Sequence, residues 1–507
     1  MSALIAAPVL LPAFAGVATL LFRQRRRWIG ASVSIVATAM LLAIGVALMV
    51  RASSGEVLVY ALGDWPAPFG IVLVLDRLAA MMLVLTAVLA LAVVVHATLT
   101  GLDRRGWHFH PLFQFQLLGI NGAFLTGDLF NLFVFFEVLL IASYGLLLHG
   151  QGARRLTAGV QYVIVNLVGS TLFLIALGLL YGITGTLNMA DMAVRGAALA
   201  AGDQGLFRAG GMLLMAVFAL KAALLPLHLW LPRAYAGAAP AVAALFAIMT
   251  KVGAYAIIRT GPLIFAGAAG RYMIPAALGT MILGFAGFLA ARHLRSMAAF
   301  GLIGSTAILL TAVALFEERA MAAALFYLPH TTIAAALLFL VADLVMRWRG
   351  VEGDAIVTAG VYRGRQLAAF LFLGGGVALA GLPPLSGFIG KLLILDAALR
   401  SPWWPAIWAM ILGTSLVAVI ALARGGSTLF WRRSTGQQPG TERAPADLAE
   451  AAPAGVLLAL LALLTVAAGP VTAYMEATSR QIFNSAAYIG AVLPGRAGAG
   501  AGPGAGT

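Results

Sequence analysis

The chain contains 507 residues, of which 62% are hydrophobic and only 10% are charged. Soluble globular proteins carry about 25% charged residues, so this composition excludes a soluble enzyme and an intrinsically disordered chain. Cysteine is absent, which excludes a disulfide scaffold, a thiol nucleophile and a cysteine-ligated metal. The net charge of +14 comes from 32 basic residues, of which only Lys221, Lys251 and Lys391 are lysines.

Long apolar windows predict an all-α membrane protein with about fourteen transmembrane helices. A helix needs about 20 apolar residues to cross about 30 Å of hydrocarbon, and it satisfies its own backbone hydrogen bonds in lipid. The predicted spans are, in chain order, 2–22, 28–50, 78–99, 108–126, 129–149, 160–184, 209–231, 240–258, 273–291, 296–316, 320–346, 366–399, 404–423 and 451–475. Because no positive residue precedes the first window, we interpret it as a retained helix rather than a signal peptide.

The arginines are distributed unequally between the predicted loops. Loops after odd-numbered spans hold 19 arginines, and loops after even-numbered spans hold 8. Basic residues concentrate in cytoplasmic loops, so the odd-numbered loops are predicted to face the cytoplasm and both termini the outer side. The positive charge then reflects membrane topology, and it does not predict nucleic-acid binding.

Two predicted spans contain prolines that should break them within the membrane. The seventh span contains Pro226 and Pro232, and the twelfth contains Pro383 and Pro384. These spans are five apart, which predicts two inverted five-helix repeats, spans 4–8 (about 108–258) and spans 9–13 (about 273–423). Two unrelated proline kinks are the alternative. Residues 1–494 are expected to form one polytopic membrane domain, and the glycine-rich tail 495–507 is expected to be disordered.

Four ionisable residues lie deep inside the predicted spans: Glu137, Lys221, Lys251 and Lys391. A buried ionisable group is costly in a membrane and is by default a candidate for function. Burial disfavours the charged form of either residue type, whereas a neighbouring opposite charge favours it, so a Glu–Lys pair can gain or lose a proton. Arginine stays charged, so it could not act as a group that gains and loses a proton. A purely structural ion pair between Glu137 and one lysine is the alternative.

Other polar residues are secondary candidates. His330, in the middle of its span beside Pro329, is predicted to relay protons, or else to be a static core histidine. His228 lies between two prolines, and Asp396 follows Lys391 by five residues as its possible partner or as an exit group. Asp343 is expected to be interfacial, and Asp128 is expected to cap the fifth span. No metal-site spacing or cofactor-binding fingerprint is present, so no metal or cofactor is predicted.

Four sequence runs carry a resemblance to a known family. They are TGDLFNLFVFFEVLLIASYGLLLHG at 126–150, ALKAALLPLHLWLPRAYAG at 219–237, TKVGAYAIIR at 250–259 and GLPPLSGFIGK at 381–391. The chain resembles the D subunit of the Mrp-type (Mnh/Pha) multisubunit cation/proton antiporters over essentially its whole length. The wider group includes the antiporter-like subunits of respiratory complex I and of membrane-bound hydrogenases.

The resemblance implies inverted repeats and a polar axis across the membrane plane. By motif position, Glu137, Lys221, Lys251 and Lys391 match the buried proton-path residues of the family, and His330 matches its histidine in span 11. It also implies a hetero-oligomeric complex that exchanges protons for Na⁺ or K⁺. The alternatives are an antiporter-like module of a redox enzyme, where glutamate tends to replace Lys391, and a stand-alone channel or carrier. Many relatives carry lysine where this chain has Ala335.

Overall fold

The computed structural model describes residues 2–21, 27–265, 267, 269–432 and 447–494. Within these ranges the chain forms twenty α-helices and one antiparallel two-stranded sheet. The elements are α1 (Ala7–Leu21), α2 (Arg27–Ala52), β1 (Leu58–Ala61), β2 (Val72–Leu75), α3 (Arg77–Leu99), α4 (Phe109–Leu125), α5 (Leu129–Leu148), α6 (Ala153–Thr184), α7 (Met189–Ala197), α8 (Ala201–Lys221), α9 (Trp230–Gly237), α10 (Pro240–Phe246), α11 (Met249–Ile264), α12 (Gly270–Ala290), α13 (Leu294–Val313), α14 (Glu318–Arg349), α15 (Arg365–Ala380), α16 (Ser386–Ala398), α17 (Trp404–Gly426), α18 (Ala452–Val466), α19 (Ala468–Phe483) and α20 (Ser485–Val492). The predicted disordered tail, 495–507, lies outside the described residues.

Eleven helical stretches among the described residues are long and apolar enough to cross a membrane. The protein is therefore a mostly helical, multi-pass membrane protein, as its composition predicts. Three of the fourteen predicted windows contain no such stretch. They are the windows of α4, of α8 with α9, and of α15 with α16.

The two windows with the proline pairs are interrupted. α8 ends at Lys221 and α9 begins at Trp230, and the non-helical residues between them include Pro226. α15 ends at Ala380 and α16 begins at Ser386, after a connection that contains the second proline pair. Proline lacks the amide proton that a helix requires and its ring clashes with the preceding turn, so both helices stop within the bundle.

The helices differ in how much of their surface lies inside the protein. In α14 and in α10 with α11, at least 94% of the residues in the membrane-spanning window are buried. In α2 and α17 only about a third or less of such residues are buried, and the remaining apolar side chains face outward. The bundle thus has a central layer built on α10, α11, α13 and α14, and polar groups there are shielded from lipid.

Two acidic residues near helix ends have structural partners. The Asp128 carboxylate accepts a hydrogen bond from the Asn131 amide at 2.8 Å, which confirms the predicted cap of α5. Asp343 lies near the end of α14 as expected, but it is buried with an exposed fraction of 7%. Its Oδ2 lies 3.0 Å from Nε2 of the fully buried His96, so it joins α14 to α3.

A second ionic contact fixes the loop between α14 and α15. Asp354 is buried and accepts hydrogen bonds from Arg295 Nε and Nη2, at 2.9 and 3.0 Å, and from the Arg295 amide at 3.0 Å. Burial raises the pKa of Asp354, but the hydrogen bonds and charge of Arg295 outweigh burial and hold this pKa below the usual 3.8. The ionised form of Asp354 therefore stabilises the native state.

We expect Asp354→Asn to lower the free energy of unfolding by about 1–3 kcal/mol at neutral pH, because it removes charge-assisted hydrogen bonds. The Asp354 contribution is complete above pH 3.8 and is lost as the pH falls through its lowered native pKa. The difference in unfolding free energy between the variant and the wild type should therefore become smaller in acid. Thermal unfolding of the detergent-solubilised chain measures it, with the exposed carboxylate variant Glu56→Gln as control. An undiminished difference in acid would contradict the assignment.

Candidate functional site

The buried residues singled out in the sequence lie along one series of packed helices. Glu137 is on α5, Lys221 ends α8, Lys251 is on α11, His330 is on α14 and Lys391 is on α16. The three lysines and the histidine are at most 5% exposed, whereas Glu137 is only partly buried. We call these five residues, together with the neutral polar side chains that lie among them, the central polar series.

The first part of the series runs through α6. Ser170 donates a short hydrogen bond to the Glu137 carboxylate. One helical turn earlier, the Asn166 side-chain oxygen accepts a hydrogen bond of 3.1 Å from Lys221 Nζ. No ion pair joins Glu137 to Lys221 among the described residues. The predicted Glu–Lys pair is thus bridged by α6 rather than in direct contact.

A close backbone contact brings α11 against the end of α8. A Cβ atom on Gly253 would lie 2.7 Å from the Ala222 amide nitrogen and 3.0 Å from the Lys221 carbonyl carbon. Only glycine permits this approach, because any side chain would overlap the neighbouring backbone. The contact places Lys251, two residues before Gly253, next to the segment that carries Lys221.

Lys251 connects to the following helices through hydroxyl groups. Its Nζ donates a hydrogen bond of 2.9 Å to Thr306 Oγ1 on α13. The neighbouring Ser305 Oγ accepts a hydrogen bond of 2.6 Å from Thr331 on α14. Thr331 is adjacent to His330, so two consecutive residues of α13 face two polar residues on separate helices.

His330 connects α14 to the start of α16. Its Nδ1 lies 2.9 Å from Ser386 Oγ, and its Nε2 has no hydrogen-bond partner among the described residues. A Cβ atom on Gly387 would lie 2.7 Å from that Nε2 and would overlap the Ala378 carbonyl oxygen. Although Pro329 precedes His330, α14 continues without a break from Glu318 to Arg349.

Lys391 ends the series at the second helix break. Its Nζ donates hydrogen bonds to the Ala380 carbonyl at 2.7 Å and to Ser415 Oγ on α17 at 2.8 Å. Ala380 is the last residue of α15, where unpaired carbonyls give a helix its negative end. The cation is therefore compensated by a helix end and a hydroxyl, without a carboxylate partner within the described residues.

The two secondary candidates form no hydrogen bond with the series among the described residues. Asp396 pairs with Arg319 instead of Lys391, and both side chains are about half exposed. They line a surface cavity of about 860 Å³ together with charged residues that include Glu318 of α14 and Glu476 and Arg480 of α19. His228 is buried in the break between α8 and α9, and its Nδ1 has no partner among the described residues.

Comparisons with known proteins show the family to which this chain belongs. Residues 126–417, which include the whole series, match the family model described as NADH:quinone oxidoreductase/Mrp antiporter, TM. The chain belongs to this family. It is 39% identical to the D subunit of a probable K⁺/H⁺ antiporter of Rhizobium meliloti (strain 1021), covering 93% of this chain and 94% of that protein. It is 36% identical to the D subunit of the Na⁺/H⁺ antiporter of Alkalihalophilus pseudofirmus, covering 97% of this chain and 100% of that protein.

A solved structure shares the fold over nearly the whole chain. A protein in the structure of the Mrp complex from Dietzia sp. DQ12-45-1b superposes with a TM-score of 0.88 at 29% identity. The alignment covers 97% of this chain and 99% of that one. Within its family, the chain is thus a D subunit of the Mrp type, related to the membrane subunits of complex I.

Sequence reasoning missed the neutral groups of the series, because serine, threonine and asparagine are common in apolar helices and carry no charge signal. These groups are Asn166, Ser170, Ser305, Thr306, Thr331, Ser386 and Ser415. It also missed a buried bidentate ion pair in which Arg259 donates to Asp76 at 2.6 and 2.8 Å. Both residues lie one or two positions outside a predicted window, so a wider margin would have found them.

The contact at Gly387 provides a test of this geometry. We expect Gly387→Ala to lower the free energy of unfolding by about 1–3 kcal/mol, because the added methyl group has no room beside His330 and Ala378. Gly413 on α17 is the matched control, since a Cβ atom there meets no atom within 4 Å. Thermal unfolding of both variants in detergent measures the difference. Equal stabilities would show that α14 and α16 are not packed as described.

Proposed function

We propose that this chain is the proton-conducting D subunit of a multisubunit Na⁺ or K⁺/H⁺ antiporter in a bacterial plasma membrane. The observation that carries the proposal is the central polar series, which extends from Glu137 to Lys391 and has members on eight helices: α5, α6, α8, α11, α13, α14, α16 and α17. The names of the two relatives, one K⁺/H⁺ and one Na⁺/H⁺, support the antiport activity and leave both cations as candidates. Its partners are the other subunits of a hetero-oligomeric complex.

The chemistry follows from the residue types in the series. Glu137, the three lysines and His330 bind and release protons, and the hydroxyl and amide groups between them supply hydrogen-bond partners. A proton that arrives at Glu137 removes the negative charge nearest to Lys221 and so changes the preference of that lysine for its own proton. The signal then passes along the series as successive electrostatic changes. Such a subunit is a secondary transporter component rather than an enzyme.

The proposal includes the finer topology. The shorter or interrupted windows of α4, α8–α9 and α15–α16 count as spans, which gives fourteen, and residues 1–494 form one domain. Two inverted repeats run from about 108 to 258 and from 273 to 423, and both termini lie outside. Contacts between helix ends support the alternating direction of successive spans. His96 near the end of α3 contacts Asp343 near the end of α14. At the opposite face, Ser479 on α19 donates to the Glu318 carbonyl at the start of α14.

A second candidate is an antiporter-like subunit of a redox-driven complex of the complex I or membrane-bound hydrogenase type. The family description that the chain matches names NADH:quinone oxidoreductase beside the antiporter, and this favours it. Purification of the native complex distinguishes the two functions. Small antiporter subunits would support the first proposal, and quinone-reducing or hydrogenase subunits would support the second.

We expect Glu137→Ala and Lys221→Ala to reduce cation-driven proton flux on the order of 100-fold, because each removes a proton-binding group. Lys221→Arg should lose as much, since arginine keeps its proton. The assay follows internal pH in vesicles that contain the assembled complex, under a Na⁺ gradient and then a K⁺ gradient. The exposed Glu56→Gln is the control. Unchanged flux in both alanine variants would refute the mechanism.

The bridging groups on α6 should matter less than the ionisable ones. We expect Asn166→Ala and Ser170→Ala each to slow proton flux by about tenfold, the effect of losing one hydrogen bond to a charged group. Thr171→Ala is the matched control on the same helix, because Thr171 is exposed and bonds only the Leu167 carbonyl. Equal rates for the three variants would show that α6 takes no part in proton transfer.

A further inference from the structure

A groove lies where α8 and α12 begin, away from the central polar series. It has a volume of about 490 Å³. Its walls include Phe207, Met212, Met215 and Phe265, and its rim includes Arg208 and Arg271. No carboxylate lines it among the described residues. We call it the α8–α12 groove.

The two arginines of the rim lack the partners that other arginines at this end of the bundle have. Arg195 pairs with Asp191, Arg259 with Asp76, and Arg319 with Asp396. By contrast, the side chains of Arg208 and Arg271 are exposed, and within the described ranges neither forms an ion pair. Their positive charges are therefore available to an anion from outside the chain.

An aromatic ring holds one of the two cations at the rim. The Arg271 guanidinium carbon lies 4.7 Å from the centre of the Tyr272 ring, within the range of a cation–π contact. Tyrosine side chains at helix ends favour the headgroup level of a membrane. Arg271 is the second residue of α12, a helix long and apolar enough to span a membrane, so we infer that both side chains lie at the depth of lipid phosphates.

The apolar part of the groove extends from the rim into the membrane. Met215 follows Arg208 by seven residues on α8, a distance of about 10 Å along the helix axis. Between the level of Arg208 and that of Met215, methionine and phenylalanine side chains form a flexible apolar wall that suits a hydrocarbon chain. A free phosphate ion would occupy only the rim and leave this wall uncovered.

We propose that the α8–α12 groove binds an anionic phospholipid. The phosphate accepts hydrogen bonds from Arg208 and Arg271, and one acyl chain lies along Met212 and Met215. The charge of the rim matches the headgroup, and the wall matches the acyl chain. This site is independent of the proton path, and its test does not require transport.

The test measures lipid retention by the purified antiporter complex that contains this chain. The complex is exchanged into detergent with phosphatidylglycerol or phosphatidylcholine, and native mass spectrometry counts the retained lipids. We expect phosphatidylglycerol to be retained preferentially. Arg208→Gln and Arg271→Gln should each weaken its retention about fivefold and the double variant about 25-fold. Arg400→Gln, which removes an exposed arginine at the same end outside the groove, should have no effect.

A second variant tests the apolar wall without changing charge. Met212→Trp fills the groove and should weaken phosphatidylglycerol retention while leaving the thermal stability of the complex unchanged. Excess inorganic phosphate should not displace the lipid, because phosphate lacks the acyl chain. Equal retention of the two lipids by the wild type, equal retention by the double variant and Arg400→Gln, or displacement by phosphate would each overturn the proposal.

Discussion

The structure depends on one constraint: a charge inside the membrane must be compensated by groups that the protein itself supplies. The chain meets it in two ways. Arg259 is held by both oxygens of Asp76, the residue that caps the start of α3, and this fixes a permanent cation there. The three lysines are compensated instead by an amide, hydroxyl groups and helix-end carbonyls. A neutral partner solvates an ammonium group without holding it in the charged form, and this distinguishes the proposed proton path from the structural ion pair.

The helix breaks provide part of this compensation. An unbroken helix uses its carbonyls internally, whereas the interrupted end of α15 presents the Ala380 carbonyl to Lys391. Gly381 at the break has a positive φ of 74°, and a Cβ atom there would lie within 3 Å of the lysine side chain. The break thus provides both a carbonyl acceptor for Lys391 and the space that its side chain occupies. The first break differs, because Lys221 is itself the last residue of α8 and finds its partner on α6.

The sequence was sufficient to predict the membrane-spanning character, the proline breaks and the burial of Lys221, Lys251, His330 and Lys391, because each follows from hydropathy or a strong local preference. Partners were harder to predict. Asp396 on α16 was a possible partner of Lys391, yet it pairs with Arg319 on α14. This contact joins two helices that lie far apart in the sequence, so no local sequence pattern reveals it. Asn166 and Ser170 look like ordinary polar residues of a long helix, and only their packing against α5 and α8 gives them a role.

Nearly every contact of the central polar series crosses from one helix to another. Glu137 meets α6, Lys251 meets α13, His330 meets α16 and Lys391 meets α17. Under the proposed function, a proton that moves along the series would therefore break and remake contacts between helices. The far end of α14 is held separately, by Asp343 on His96, so its position does not depend on these changing contacts. In the proposed function, proton transfer would alter the packing around this central helix and would couple distant sites without requiring the whole bundle to move.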